Sequence, residues 1–514
     1  FLRSASVGGA LYISSPLPLL SKVAAGGEQI GNEFLTARFD TGTGLIQVER
    51  KDGTALLRNA VVRVSCDGSV RRTSEAEYRR TCTIGSIEDG LGKGRQITAR
   101  CVDHRKQVDF EVTVSLYDRR NAAIIEVVCR NASRKDIGIM RIEPIRAVLE
   151  EDAYCGWADA SKALTNGYMY PDPGRVEELG QSNRHAITSM WNMGFYRGVQ
   201  EEGLVVGYLD SKVATGRISA MYDRTVIPAR SHGGMSLIAE SIYNSGHLVR
   251  PGASVTSGRL IFNIGPDPFG ALENYAQAIA DAQRVRLNPV INGWCSWFYT
   301  HEYINEEEVL RNTEFAARAL KPYGMEYVQI DAGWFRTYGE WEGNERFPHG
   351  MKWLADKIRS HGLRAGLWLA PYCIAEGTDV YEQHQDWLIK DRDGKVKQCG
   401  GGLSTEQVEP YGIPSMMKKI YALDVTHEAA ATWMHDLFRK VAEGWGYDFI
   451  KIDFVEWTIL SAERYHDPSV SQAAAYRKGF EIMRNAIGPK RHLLDCGPMN
   501  NTVGLLDSSR IELD

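Results

Sequence analysis

Tyr447-Asp448-Phe449-Ile450-Lys451-Ile452-Asp453-Phe454 places a lysine and an aspartate inside an apolar run, directly after Gly444-Trp445-Gly446. A short apolar run preceded by turn signals reads as a buried strand. Charge inside such a run is costly unless it sits at an open end or has a partner. Lys451 and Asp453 are two apart, so on a strand they point to the same side and gather at its C-terminal end. In a parallel barrel that end carries the chemistry. A buried Lys–Asp pair that merely closes off the strand is the alternative this stretch leaves open.

The texture around it repeats. From Val290 onward, apolar strands alternate with amphipathic helices. The strands read as Gly293–Phe298, Tyr327–Asp331, Ala365–Ala370, Phe449–Phe454, His492–Cys496 and Arg510–Asp514. Asn305-Glu-Glu-Glu is a helix cap with an acidic first turn, and further helices are predicted over 351–360, 429–443 and 471–487. Strand–helix alternation implies a parallel sheet. The expectation is a (β/α)8 TIM-type barrel, of which six βα units are present. Because an open barrel exposes strand edges, the barrel is expected to be incomplete at the C-terminus of the sequence.

Residues 1 to about 285 have a different grammar. Short alternating runs recur, among them Phe34–Phe39, Gln107–Val114, Ala123–Val128 and Arg259–Ile264, separated by Gly and Asp turns. These predict a many-stranded N-terminal β-sandwich over 1–285. A linker helix over about 268–285 leads to a catalytic domain over 286–514. The fold class is therefore multidomain.

Composition sets bounds. The 514 residues are enough for two or three domains, and the net charge of −5 gives no reason to expect a nucleic-acid partner. No run is long enough to cross a membrane. Nine scattered cysteines without a CxxC pair predict free thiols, a reducing compartment and no metal site; the cytoplasm is the expected location, with secretion or a periplasmic site as the alternative. The sequence begins at Phe1, which predicts processing or trimming, and Leu17–Ala25 is too short and interrupted to read as a signal peptide. Asn131-Ala-Ser and Asn500-Asn-Thr match the glycosylation pattern.

The predicted strand ends carry polar groups in series: Asp331, then Lys451 and Asp453, then Cys496 and Gly497, then Arg510 and Asp514. A solvated rim of charge explains one such end more easily than it explains four. The ordered motifs Gly293-Trp-Cys-Ser-Trp, Ile330-Asp-Ala-Gly-Trp, Phe347-Pro-His-Gly, Gly366-Leu-Trp, Leu423-Asp-Val-Thr, Lys451-Ile-Asp and Arg510-Ile-Glu-Leu-Asp cover about residues 290–514. With them the second half resembles the α-galactosidase clan of glycoside hydrolases (clan D), and most closely glycoside hydrolase family 36.

The resemblance implies roles. Asp453 becomes the nucleophile and Asp514 the acid/base. Lys451, Arg510 and Asp331 bind sugar hydroxyls, Cys496 and Gly497 lie near the sugar's 2-position, and Trp334 and Trp341 are candidates for an aromatic wall or for core packing. It implies a retaining exo-glycosidase that hydrolyses terminal α-galactoside-like residues by double displacement, with no cofactor and an oligosaccharide or glycoside as partner. A homo-oligomer is left open. Retention requires the two carboxyls about 5–5.5 Å apart. Lys451 is expected to keep Asp453 ionised, and Glu512, on the same strand face as Asp514, to keep that residue protonated.

Two departures mark a divergent branch. Ala332 stands where the family usually has a second aspartate, and Trp368-Leu-Ala-Pro-Tyr-Cys lacks the family's usual glutamate. Both point toward a related sugar, such as an N-acetyl-α-galactosaminide or a β-L-arabinopyranoside. Glu340, Glu376 or Tyr372 are the candidates to fill the gap at Ala332. An α-galactosyl transglycosidase shares every residue named. Three other readings compete: a Schiff-base lysine at Lys451, a Mg²⁺ site of successive carboxylates, and a non-enzymatic carbohydrate-binding protein. Asp453 raises rather than lowers the pKa expected of Lys451, Lys451 and Arg510 oppose a cation, and retention of both Asp453 and Asp514 opposes the last.

Overall fold

Alternation in the first half becomes two large antiparallel sheets. A computed structural model describes residues 27–511 apart from positions 170–171, 173, 180–183, 200, 224–233 and 287. The run Leu35–Asp40 alternates buried and half-buried residues, as one face on a core requires. One sheet has ten strands. Its centre is Ala55–Cys66, Ile137–Ala147 and Ser236–Val249, paired in that order. The other has nine, among them Glu202–Tyr208, Ser254–Gly265, Ala122–Asn131 and Val108–Tyr117 side by side. The main apolar core of this half contains Phe39, Phe110, Ile125, Trp157, Leu204 and Phe262, and a smaller one joins Val205, Leu209 and Ile261 to Ala271 and Tyr275.

The helix Pro268–Gln283 begins with Asp267 accepting from the Gly270 N–H and proline in its first turn. It buries Ala271, Tyr275 and Ala278, and the Tyr275 hydroxyl donates to the Tyr208 carbonyl at 2.8 Å. This helix is therefore packed on the nine-stranded sheet as well as leading out of it.

From Gly293 the hydrogen-bonding pattern turns parallel. Six strands pair in chain order: Gly293–Cys295, Tyr327–Ile330, Arg364–Leu369, Phe449–Ile452, His492–Asp495 and Ser508–Ser509. Capped helices run between them. Asn305 accepts from the Glu308 N–H at the start of Glu306–Ala319, and Ser471 accepts from the Ala474 N–H at the start of Gln472–Ile487. Val328, Leu367, Ile450 and Leu493 are fully buried in the core these elements share.

Two features are absent from the sequence reading. A hairpin, Phe335–Thr337 with Glu340–Gly343, follows the second strand. A three-stranded antiparallel sheet of Cys373–Ala375, Lys419–Ala422 and Gln398–Gly401 fills the connection between the third and fourth strands. Their runs of three or four residues are too short to show periodicity.

One expected strand is corrected. Arg510–Asp514 was assigned to the sixth strand, yet the pairing falls at Ser508–Ser509. Asp507 fixes the earlier register by accepting from Arg484 at 2.6 Å and from the Leu493 N–H at 2.7 Å. Arg510 follows the strand, its N–H bonded to the Asp495 carbonyl at 2.9 Å. Asp514 and Glu512 lie outside the described residues. Asn131, in the first glycosylation pattern, is buried with its amide bonded to the carbonyls of Lys135 and Val249, so it is no acceptor on this surface.

The two halves touch behind the later strands. Asn501 donates to the Ser211 carbonyl at 2.7 Å, Ser471 to that of Val213 at 2.5 Å, and the Leu248 N–H to that of Pro468 at 3.1 Å.

Candidate active site

The ends of the parallel strands bring the predicted residues together around a buried ion pair. Lys451 Nζ donates to Asp331 Oδ2 at 2.9 Å, and Asp331 is only 2% exposed. The same oxygen accepts from Gln329 Nε2 at 2.8 Å and from the Cys295 thiol at 3.5 Å. The other oxygen accepts from the Ala332 N–H at 2.9 Å. Asp331 is thus an ionic acceptor with several donors, the arrangement that makes a buried carboxylate tolerable.

This corrects the expected pairing. Lys451 and Asp453 share a strand face, but the lysine's direct bond goes to the second strand, past the third. In a twisted parallel barrel, alternate strands supply the same layer of inward side chains. A four-carbon lysine stem spans that gap more easily than it folds back on its own strand.

Asp453 is held differently. Oδ2 accepts from the Trp368 indole at 3.1 Å and Oδ1 from the Phe454 N–H at 2.9 Å. Burial raises the Asp453 carboxyl above the usual range, while Lys451, Trp368 and the Phe454 N–H pull it back. For Lys451, burial opposes the charge, yet Asp331, Cys496 and Asp453 outweigh burial and lift the ammonium above the ordinary lysine range. A lysine held so firmly protonated is a poor Schiff-base nucleophile.

Cys496 is fully buried, and its thiol is pushed well up by burial and by Asp453. Gly497 follows, its N–H on Asp495 Oδ1 at 2.8 Å. A Cβ there would meet the Tyr476 hydroxyl at 2.2 Å and Val455 Cγ2 at 2.4 Å, so the close approach requires glycine. Arg510 lies within electrostatic reach of Cys496.

The aromatic-wall assignment of Trp334 and Trp341 is corrected to core packing. They are 0% and 3% exposed and pack with Phe335, Tyr338 and Trp368. Trp334 acts one layer back, its indole bonded to the Trp368 carbonyl at 2.9 Å. The aromatic that reaches the site is Trp368, within the Gly366-Leu-Trp motif.

Sequence reasoning also missed three carboxylates. Glu302, 2% exposed, accepts from the Ser415 N–H at 2.9 Å and from its hydroxyl, and feels Asp331. Asp495, 0% exposed, accepts from the hydroxyls of Tyr476 and Thr502 and is pushed up to about 7 by burial. Glu456 follows Asp453 by three residues. None of the three lies in a quoted motif, and a lone carboxylate gives no signal of its own.

Two of the three candidates to replace a carboxylate at Ala332 are engaged elsewhere. Glu376 accepts from the Lys419 N–H at 3.1 Å, the Tyr372 hydroxyl reaches the Tyr476 carbonyl at 3.5 Å, and Glu340 sits on the hairpin. Among the described residues, no group of three or more His, Cys, Asp or Glu is arranged to hold a metal ion. No helix among them is long and apolar enough to cross a membrane.

An antiparallel β-half is thus joined to a parallel strand–helix half with buried acids at its strand ends. Residues 274–477 match the Melibiase family. The A type blood alpha-D-galactosamine galactosaminidase of Flavonifractor plautii is 29% identical over 178 residues, 32% of this chain and 15% of that protein. Alpha-galactosidase AgaA of Geobacillus stearothermophilus is 29% identical over 199 residues, 35% of this chain and 26% of that protein. The chain thus aligns with about a quarter or less of the length of these curated relatives.

Among solved structures, the α-galactosidase from Lactobacillus brevis superposes with a TM-score of 0.65 at 13% identity, covering 95% of this chain and 72% of that one. The family 36 enzyme AgaA gives 0.61 at 14% identity, covering 88% and 64%. These two likenesses concern the fold. Over residues 274–477 the chain is similar to the melibiase type, and the relatives and structures that it matches support a divergent relative of glycoside hydrolase family 36.

Proposed function

We propose that this chain carries the nucleophile and the acid/base of a retaining exo-glycosidase acting on terminal α-galactoside-like residues. The carrying observation is Asp453, held by Trp368 and facing a Lys451–Asp331 ion pair at the ends of parallel strands. Asp453 attacks the anomeric carbon as Asp514 protonates the departing glycosidic oxygen. Asp514 then takes a proton from water, which displaces Asp453 with a second inversion. Lys451, Arg510 and Asp331 grip hydroxyls, and Cys496 and Gly497 border the 2-position. Retention requires these two carboxyls about 5–5.5 Å apart.

On this reading, residues 1–285 are the sandwich and 286–514 the catalytic barrel, supplying six of eight strands. Relatives whose names or structures specify α-galactosidase activity, galactosamine, stachyose or raffinose support an oligosaccharide or glycoside substrate. Nine unpaired cysteines support a reducing, cytoplasmic setting.

Ala332 shapes the sugar preference. One carboxylate, Asp331, faces the C4/C6 end where two are usual, a loss of about 1.5–3 kcal/mol per charge-assisted bond, or roughly 10- to 150-fold in rate. The test is a panel of 4-nitrophenyl α-galactoside, N-acetyl-α-galactosaminide, β-L-arabinopyranoside and α-glucoside with the full-length wild type and Ala332→Asp. We expect a related sugar to outrun α-galactoside in the wild type, and Ala332→Asp to recover α-galactoside. A wild type preferring α-galactoside by orders of magnitude, with no gain in the variant, refutes the specificity argument. Inverted first-formed product by NMR refutes the retaining mechanism.

A further inference from the structure

The loop leaving the fourth strand carries a buried carboxyl oxygen, that of Glu456. Phe454, next to Asp453, has φ +56, in the left-handed region where a bulky residue is a genuine outlier. Its N–H is tied to Asp453, and its carbonyl accepts from the Thr458 hydroxyl. The reversal buries Val455 completely and carries Glu456 on the following position. Glu456 Oε2 is buried and has no hydrogen-bond partner among the described residues.

Its charged surroundings belong to the site. Asp453 and Arg510 both act on Glu456, and Cys373, just past the third strand, feels Glu456 and Asp453 together. The carboxyl is therefore within electrostatic reach of groups at the ends of the third, fourth and sixth strands. An orphaned buried carboxyl oxygen is destabilising, and each such group in a native fold asks for a reason. Backbone strain beside it is of the kind that persists at ligand-binding positions.

We propose that Glu456 is a substrate-binding residue whose Oε2 accepts a hydrogen bond from the sugar held against Asp453, either a hydroxyl or an ammonium group. This rests on the glycosidase reading above. Glu456 replaces neither Asp331 nor Asp453; it adds a third acidic contact from a different strand end, in a chain where the second strand supplies one aspartate instead of two. Burial, with Asp453 adding to it, pushes the Glu456 carboxyl up to about 7, against the pull of the Glu456 and Val455 N–H groups and of Arg510.

The experiment compares wild type, Glu456→Gln, Glu456→Asp and Asp453→Ala, as full-length protein, on 4-nitrophenyl α-galactoside, α-galactosaminide and N-acetyl-α-galactosaminide. Folding is checked by circular dichroism and melting. Glu456→Gln is expected to keep or raise Tm while kcat/KM falls by roughly 10- to 150-fold, the value of one charge-assisted bond. A loss equal across the panel assigns a hydroxyl; a loss confined to the free-amine substrate assigns an ammonium. Activity of both Glu456 variants within about twofold of wild type on every substrate, or a fall in Tm without a change in KM or kcat, overturns the proposal. If Glu456→Gln does not fold, Glu456→Asp, which keeps the charge and shortens the reach, decides by the same criteria. If wild type cleaves none of the substrates, or Asp453→Ala cleaves them as well as wild type, the glycosidase reading itself has failed.

Discussion

Both halves of the molecule bury carboxylates, but they treat them differently. In the antiparallel half, Glu240 lies between Arg141 and Arg217, each at 2.6 Å. Glu143 lies between Arg63 at 3.3 Å and Arg146 at 3.6 Å. Each of these two buried acids has two guanidinium partners. At the parallel strand ends, Asp331, Asp453, Glu456 and Asp495 gather around Lys451 and Arg510. Burial raises the carboxyls of Asp453, Glu456 and Asp495 there, as it raises that of Glu143 in the antiparallel half; what differs is how many cationic partners each acid has. The antiparallel half neutralises its acids for structure, whereas the parallel half keeps them poised.

The sharpest way to break that contrast is to remove its central acid. Asp453→Ala is expected to cut turnover roughly 10⁴-fold or more, the scale of deleting a principal catalytic group. Added azide should restore part of the rate and give product of the opposite anomeric configuration. Full activity in this variant would make the strand-end acids structural after all.

A pair of stability measurements comes next. Lys451→Met strands Asp331 as a buried, unpaired charge and should cost about 3–5 kcal/mol in denaturant unfolding at pH 7. Glu240→Gln leaves Arg141 and Arg217 with side chains 39% and 32% exposed. They reach water, so the cost should be about 1 kcal/mol or less. Equal costs would erase the distinction between the halves.

The smallest effect is in pH dependence. Folding raises Asp495 from an ordinary aspartate value near 3.8 to about 7. Between those values the folded state holds a proton that the unfolded chain has released. The contribution to stability is full below the unfolded value and is lost as pH rises toward about 7. Asp495→Asn cannot titrate, so its Tm relative to wild type should climb by about 2–4 °C between pH 5 and pH 7.5. A flat difference would mean that Asp495 is ionised throughout.

The sequence made some of this legible for plain reasons. Tyr327–Ile330, Arg364–Leu369, Phe449–Ile452 and His492–Asp495 are buried runs between capped helices, so their parallel pairing followed from composition and punctuation. The convergence of Asp331, Lys451 and Asp453 followed from strand ends and from the motifs. Pairing across strands did not. That Lys451 bonds Asp331 rather than Asp453, and that Trp368 rather than Trp334 touches the acid, depends on which layer each side chain enters. Period-two alternation gives a residue's face but not its neighbour on the next strand. Glu456 was hidden for another reason, since its direction is set by the left-handed turn at Phe454, a conformation that nothing in the local sequence announces.

The most direct test of the central claim is to trap the glycosyl-enzyme. The full-length protein would be incubated with an activated fluorinated α-galactoside, which forms the covalent intermediate faster than it is hydrolysed, and the peptides sequenced by mass spectrometry. The account predicts one sugar adduct, on Asp453. An adduct on Asp331, Glu456 or Asp495, or none while the enzyme turns over its substrate with inversion, would contradict it.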